Sequence, residues 1–191
     1  MITRYETHLT VNLQNKTLED FKNVCKLIDA KPIVINLQNS NQVMTSKTIQ
    51  TEFDIKSYNI CADDVIILEE NRFEVIRVKI ETDKVKDSDT YHYAEIHVPC
   101  HTRKLIEYPN IINDLPLFDL EGNQIKGHIS SNEFKPNITF ITWRSKLIEG
   151  FKYFDLIYSG LTELLILSNP KKNPKLEIAI FDSNVKLDSE W

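Results

Sequence analysis

Two tripeptides of the form Glu-x-His stand in the chain, Glu6-Thr7-His8 near the N-terminus and Glu95-Ile96-His97 in the second half, followed by Leu9 and Val98. On a strand, residues i and i+2 point to the same face, so each copy aims a carboxylate and an imidazole at one surface. An internal repeat would bring the two surfaces together. Histidine titrates near neutral pH and is scarce here, at 5 of 191 residues. The chemistry such a face supports is proton transfer or metal ligation.

The elements that must carry these residues follow from periodicity. Tyr5, Thr7, Leu9 and Val11 alternate with Arg4, Glu6, His8 and Thr10, the pattern of a half-buried strand. Thr17 opens a helix, with Asp20 in the capping-box position and Leu18, Phe21, Val24, Cys25 and Ile28 on one side. Lys31-Pro32 stops it, and 33–37 is a short buried strand. Residues 38–58 are polar, with a strand near Val43-Met44 or Phe53 to Ile55 the most they offer. Cys61 to Asn71 reads as a second helix. Val75, Arg77, Lys79 and Glu81 then alternate with Ile76, Val78 and Ile80. After a charged turn over 83–89, 91–100 is a strand on which Tyr93, Glu95, His97 and Pro99 share a face.

The second half is less regular. Residues 101–136 read as loops broken by Pro109, Pro116, Gly122, Gly127 and Pro136; 137–144 is strand-like, 151–168 an apolar helix, 169–174 a turn and 176–181 a final strand. The expected fold class is α+β, an α/β sandwich with a ferredoxin-like β-α-β-β-α-β sheet, mainly antiparallel, and a diverged second half. The chain reads as a single compact unit over 1–191, with a first half at 1–90 and a second at 91–191.

Bulk composition narrows the classes. The chain has 41% apolar and 27% charged residues, ordinary for a globular protein, and a net charge of −5. That charge gives no footprint for general duplex DNA binding. Four glycines and neither a G-x-G-x-x-G nor a P-loop pattern argue against a glycine-rich phosphate cradle. Cys25, Cys61 and Cys100 are odd in number with no Cys-x-x-Cys spacing, so buried free thiols in a reducing compartment are expected. With no signal peptide at Met1 and no apolar run near the ~20 residues of a membrane helix, the expectation is a cytoplasmic protein without a membrane partner.

His8-Leu9-Thr10-Val11 resembles the His-x-Thr-x strand motif of the two-histidine phosphoesterases, the LigT-like superfamily. That superfamily is an internally duplicated α/β sheet with two such motifs. The resemblance implies a cleft in which one histidine acts as base and the other as acid on a phosphodiester, with adjacent hydroxyls holding the non-bridging oxygens. The scheme needs no metal or other cofactor if neutral and protonated imidazoles are both present. The second copy departs from the motif: His97-Val98-Pro99-Cys100 has proline where the hydroxyl belongs. His128-Ile129-Ser130-Ser131 fits the consensus better but falls in a stretch read as loop, and His101-Thr102 is a weaker match.

The candidate catalytic residues are therefore His8 with His97 or His128. Thr10 and Ser130 are the candidate oxyanion holders, and Arg77 or Lys79 the phosphate clamp. A metal alternative uses Glu6, His8, Glu95 and His97, two carboxylates and two imidazoles suited to iron, manganese, nickel or zinc. The bland reading is a solvated sheet face with cross-strand ion pairs. Two further segments weigh in: the hydroxyl-rich 43–48 with Lys47, which could grip an anion, and Asp182-Ser183-Asn184, which caps the last strand or orients a histidine. The expected function is processing of a phosphodiester or cyclic phosphate on a nucleotide or RNA end by paired histidines. The alternatives are a non-catalytic ligand- or protein-binding protein and a Glu/His metal-dependent enzyme.

Overall fold

A computed structural model describes residues 2–37, 41–84, 91–103, 117–118, 124–125, 127–146 and 174–184. Its elements are β1 (Thr3–Asn12), α1 (Leu18–Leu27), β2 (Lys31–Asn36), β3 (Asn41–Thr51), α2 (Asp54–Glu70), β4 (Glu74–Thr82) and β5 (Tyr93–His101). They continue with β6 (Leu117–Phe118), β7 (Gln124–Ile125), β8 (Gly127–Asn132), β9 (Lys135–Ser145) and β10 (Lys175–Asp182). The 151–168 helix and most of the 83–89 and 169–174 turns expected from the sequence lie outside the described residues.

Strand pairing overturns the two-layer ferredoxin-like sandwich. Eight antiparallel strands close into a barrel in the order β1-β3-β2-β8-β9-β5-β10-β4, with β4 pairing back to β1. An open sheet has a solvated face; a closed one turns that face into a lumen. The strands of the first half stand in the order β4-β1-β3-β2, and those of the second repeat it as β10-β5-β9-β8. The two half-barrels join edge to edge at β2–β8 and β10–β4.

Each wall has an apolar outer face and a polar inner one. Tyr5, Leu9, Val11, Ile49 and Ile80 point outward and pack beneath α1 and α2 against Phe21, Val24, Cys25, Cys61, Leu68 and Phe73. Phe21 and Phe73 meet edge to face at 5.6 Å. The capping box at Thr17 and Asp20 starts α1 as expected. α2 begins well before Cys61, and its N-cap Phe53 makes no side-chain capping bond, so no start signal marks it in sequence. The polar 41–51 segment is a full strand whose Lys47 holds Asp64 of α2 at 2.9 Å. Cys25, Cys61 and Cys100 are free and buried, and burial pushes each thiol up to about 12. Among the described residues no helix is long and apolar enough to cross a membrane.

Candidate functional site: a symmetric charge network in the lumen

The inward residues of β1, β4, β10 and β5 form two matching quartets. In the first half, Glu6 and His8 of β1 lie directly across from Glu81 and Lys79 of β4. In the second, Glu95 and His97 of β5 lie directly across from Glu177 and Lys175 of β10. Glu-x-His on one strand thus faces Lys-x-Glu on its neighbour, twice. Facing carboxylates repel unless compensated, and buried charges must be paired. Here the compensation crosses between halves.

His8 Nε2 lies 3.1 Å from Glu81, and His97 Nε2 lies 2.9 Å from Glu177. Lys79 reaches Glu81 at 2.7 Å and then Glu95 of the other half at 3.2 Å. Lys175 reciprocates, contacting Glu177 and reaching Glu6 of the first half at 2.6 Å. Arg4 adds a cation to Glu6 at 3.0 Å, and Arg144 grips Glu95 at 2.6 and 2.8 Å. Nδ1 of His8 donates to the carbonyl of Thr45, and Nδ1 of His97 meets the Thr142 hydroxyl at 2.8 Å.

These contacts set the protonation states. Burial works against charge on both imidazoles, but contact with Glu81 outweighs it at His8 and raises its pKa. Glu177 outweighs it at His97 and carries that group to about 10. Burial also works against charge on Glu6, where His8 and Lys175 prevail and bring the carboxyl down to about 2. Lys79 holds Glu81 and Glu95 well below the usual carboxylate range. Four carboxylates (Glu6, Glu81, Glu95, Glu177) therefore face four cations (Arg4, Lys79, Arg144, Lys175) and the imidazolium of His97, with His8 raised in the same direction. The network carries a net positive charge.

Glu81 stands apart. It is 1% exposed and is held by two charge contacts, from Lys79 at 2.7 Å and His8 at 3.1 Å. Glu81, His97 and Glu177 each present a ligand atom within 4.8 Å of the other two. A shallow recess of about 10 Å³, room for one water, is lined by Arg4, Glu6, Glu81, Thr82, Asp83, Lys175 and Glu177.

The sequence-derived candidates distribute unevenly over this geometry. His8 and His97 both flank Glu81. His128 lies on β8, with β9 between it and β5, and its register partner Thr142 also pairs with His97. Ser130 follows it on the inward face of β8, away from Thr10 of β1. Thr10 pairs with Arg77, one inward step past His8. Arg77 is bound to Asp182 at 2.6 and 3.0 Å beside the Tyr93 hydroxyl, so a clamp role would require giving up a buried carboxylate. Asp182 thus holds an arginine instead of a histidine, and Lys47 is committed to α2. Of the metal alternative, Glu95 stands 3.5 Å from His97 and Glu6 3.8 Å from His8, but the four do not converge on one point: of them, His97 alone belongs to the group with Glu81 and Glu177. Glu81, Lys175 and Glu177 were missed as site residues. The signal that finds them is the second repeat, Lys79-x-Glu81 and Lys175-x-Glu177, complementary to the first.

No family model and no curated protein matches the chain. Two solved structures share a loose likeness. A monooxygenase-named protein from Fusobacterium nucleatum is 8% identical with a TM-score of 0.36, covering 93% of this chain and 91% of its own. A dye-decolorizing protein from V. cholerae is 9% identical with a TM-score of 0.32, covering 97% of this chain and 95% of its own. At those scores neither likeness bears on the site, which rests on the facing Glu-x-His and Lys-x-Glu pairs alone.

Proposed function

We infer that the lumen binds the phosphate-bearing end of a nucleotide or RNA and cleaves a phosphate ester there. The observation that carries this reading is the cluster of two histidines, two lysines and two arginines on the inner face of the barrel, with Arg4 and Lys175 at its solvent-exposed edge. A phosphate offers several acceptor oxygens, and charge-assisted hydrogen bonds from Lys, Arg and protonated His are its usual partners. Lys175 and Arg4, the most exposed cations of the network, stand at the mouth and meet an incoming anion first.

The acid–base assignment differs from a pair of exchanging histidines. An imidazole held at about 10 is protonated at neutral pH and cannot accept a proton. His97 therefore serves as proton donor and charge partner, and contact with Glu81 moves His8 in the same direction. As water or a ribose hydroxyl attacks phosphorus, Nε2–H of one imidazolium passes its proton to the leaving oxygen while the P–O bond breaks. The proton lost by the nucleophile goes to a carboxylate, and the reading takes Glu177, 2.9 Å from His97 Nε2, as that acceptor.

The test is turnover of 2′,3′-cyclic nucleotides, 2′-5′-linked oligonucleotides and RNA with terminal phosphates by wild type, His8→Ala and His97→Ala. Turnover lowered at least 100-fold in either variant supports the reading. Equal background rates in all three proteins remove it. Saturable binding without turnover favours the non-catalytic alternative, in which the same network holds a ligand it does not alter.

A further inference from the structure

We propose that Thr142 is the positioning residue of His97: its hydroxyl fixes the imidazole in the orientation that keeps Nε2 on Glu177. The two Glu-x-His pairs meet their carboxylates alike, His8 Nε2 at 3.1 Å from Glu81 and His97 Nε2 at 2.9 Å from Glu177. They differ at the far end of the ring. Nδ1 of His8 lies 3.1 Å from the carbonyl of Thr45, a main-chain group that every residue type would supply. Nδ1 of His97 lies 2.8 Å from Oγ1 of Thr142, a group that only a hydroxyl side chain brings there.

Register places that hydroxyl. β9 sets Thr142 directly across from His97 and Arg144 directly across from Glu95, so Thr142-x-Arg144 answers Glu95-x-His97 position for position. Thr142 is 1% exposed, and its β-branched side chain is stiff about χ1, which holds the oxygen on the ring. As an imidazolium, His97 donates Nδ1–H to Thr142 and Nε2–H to Glu177. A ring pinned at both nitrogens cannot tilt or flip without leaving a buried N–H unpaired. Glu95, 3.5 Å from the same Nε2, is the carboxylate toward which an unpinned ring would turn. The first half uses its hydroxyl differently. There β3 sets Thr48 across from Glu6, and Ser46 donates to that carboxylate at 2.7 Å, so the side-chain oxygen supports the glutamate and not the histidine. The ring orientation stands on this geometry; its catalytic use, aiming the Nε2 proton at the leaving oxygen, rests on the phosphate reading above.

The experiment compares wild type, Thr142→Val and Thr142→Ser as full chains, by nitrogen-15 NMR of the histidine side chains and by turnover of a 2′,3′-cyclic nucleotide across pH. Valine keeps the branched shape without the hydroxyl, and serine keeps the hydroxyl. In Thr142→Val the Nδ1 and Nε2 resonances of His97 should move while those of His8 stay in place; in Thr142→Ser those of His97 should return. kcat should fall at least 10-fold in Thr142→Val, with KM within about threefold and the pH profile displaced, and should recover to within about threefold in Thr142→Ser. Circular dichroism confirms that each variant is folded; should Thr142→Val not fold, Thr142→Ala takes its place. His97 resonances unmoved in Thr142→Val, or moved as far in Thr142→Ser, or turnover unchanged in Thr142→Val, overturn the proposal. The expected His97 shifts in a protein that turns nothing over keep the positioning role and discard the phosphate reading; equal turnover in wild type and Thr142→Val, with His97 unmoved, does the reverse.

Discussion

The two quartets are built from the same residue types in the same register, yet they differ in how deeply they are held. In the first half, Glu6 is 16% exposed and is compensated by Arg4 and Lys175 near the mouth. Its counterpart Glu95 is 1% exposed and sits between Lys79 and Arg144. The difference traces to one register position: the residue across from Glu6 is Thr48, and the residue across from Glu95 is Arg144. Arg144 also lies 4.0 Å over the Tyr93 ring, which fixes its direction. One repeat has been closed by an arginine, and the other left open toward solvent. The two halves repeat one strand order, and a single cross-strand difference makes one side the buried anchor and the other the solvent-exposed edge.

Breaking the anchored side should cost most. Lys79→Met leaves Glu81 and Glu95 buried without their shared cation, an expected loss of about 3–5 kcal/mol in chemical denaturation. A loss under ~1 kcal/mol would show the quartets to be less interlocked than their contacts.

Stability against pH is the next largest effect, and its two limbs report different halves. His97 has a folded-state pKa above its ordinary 6.5, so its contribution is complete below 6.5 and is lost as pH climbs toward about 10. Glu6 is lowered from 4.5 to about 2, so its contribution is complete above 4.5 and is lost as pH falls toward about 2. Denaturation midpoints should therefore peak between those windows, with roughly 1–3 kcal/mol lost along the alkaline limb. His97→Gln should flatten that limb, and Glu6→Gln the acid one. An alkaline limb unchanged in His97→Gln would break the assignment.

The smallest effect belongs to the open side. Lys175 is 37% exposed, so Lys175→Met should cost no more than about 1 kcal/mol, because solvent screens what the lysine leaves behind. Equal costs for Lys79→Met and Lys175→Met would erase the distinction between anchor and edge.

Much of this was legible in sequence, for identifiable reasons. β1, α1, β4 and β5 announce themselves by alternation or by the Thr17–Asp20 box, because each carries an outer apolar face beneath a helix or neighbouring wall. β3 does not, since Thr45, Ser46, Lys47 and Thr48 place polar groups on both faces: inward to the lumen and outward to Asp64 and Leu9. β8 reads as loop for a similar reason, being short with Gly127, Ser130 and Ser131. Closure of the barrel is invisible to periodicity, which reports only that a strand has two unlike faces. The same alternation fits an open sheet with a wet side and a ring with a polar bore. The Glu-x-His strands were recognisable by their rare residue; the complementary Lys-x-Glu strands use common ones and stand out only once register sets them opposite.

The ring is not equally sewn. Where β2 meets β8 the described register is two residue pairs, Ile35 with Asn132 and Asn36 with Ser131, extended by the amide of Glu133 to the carbonyl of Val34. So short a stitch is where local opening of the ring is expected before the long ladders beside it, and amide hydrogen exchange at 33–36 and 131–133, set against the β1 and β5 ladders, reads it.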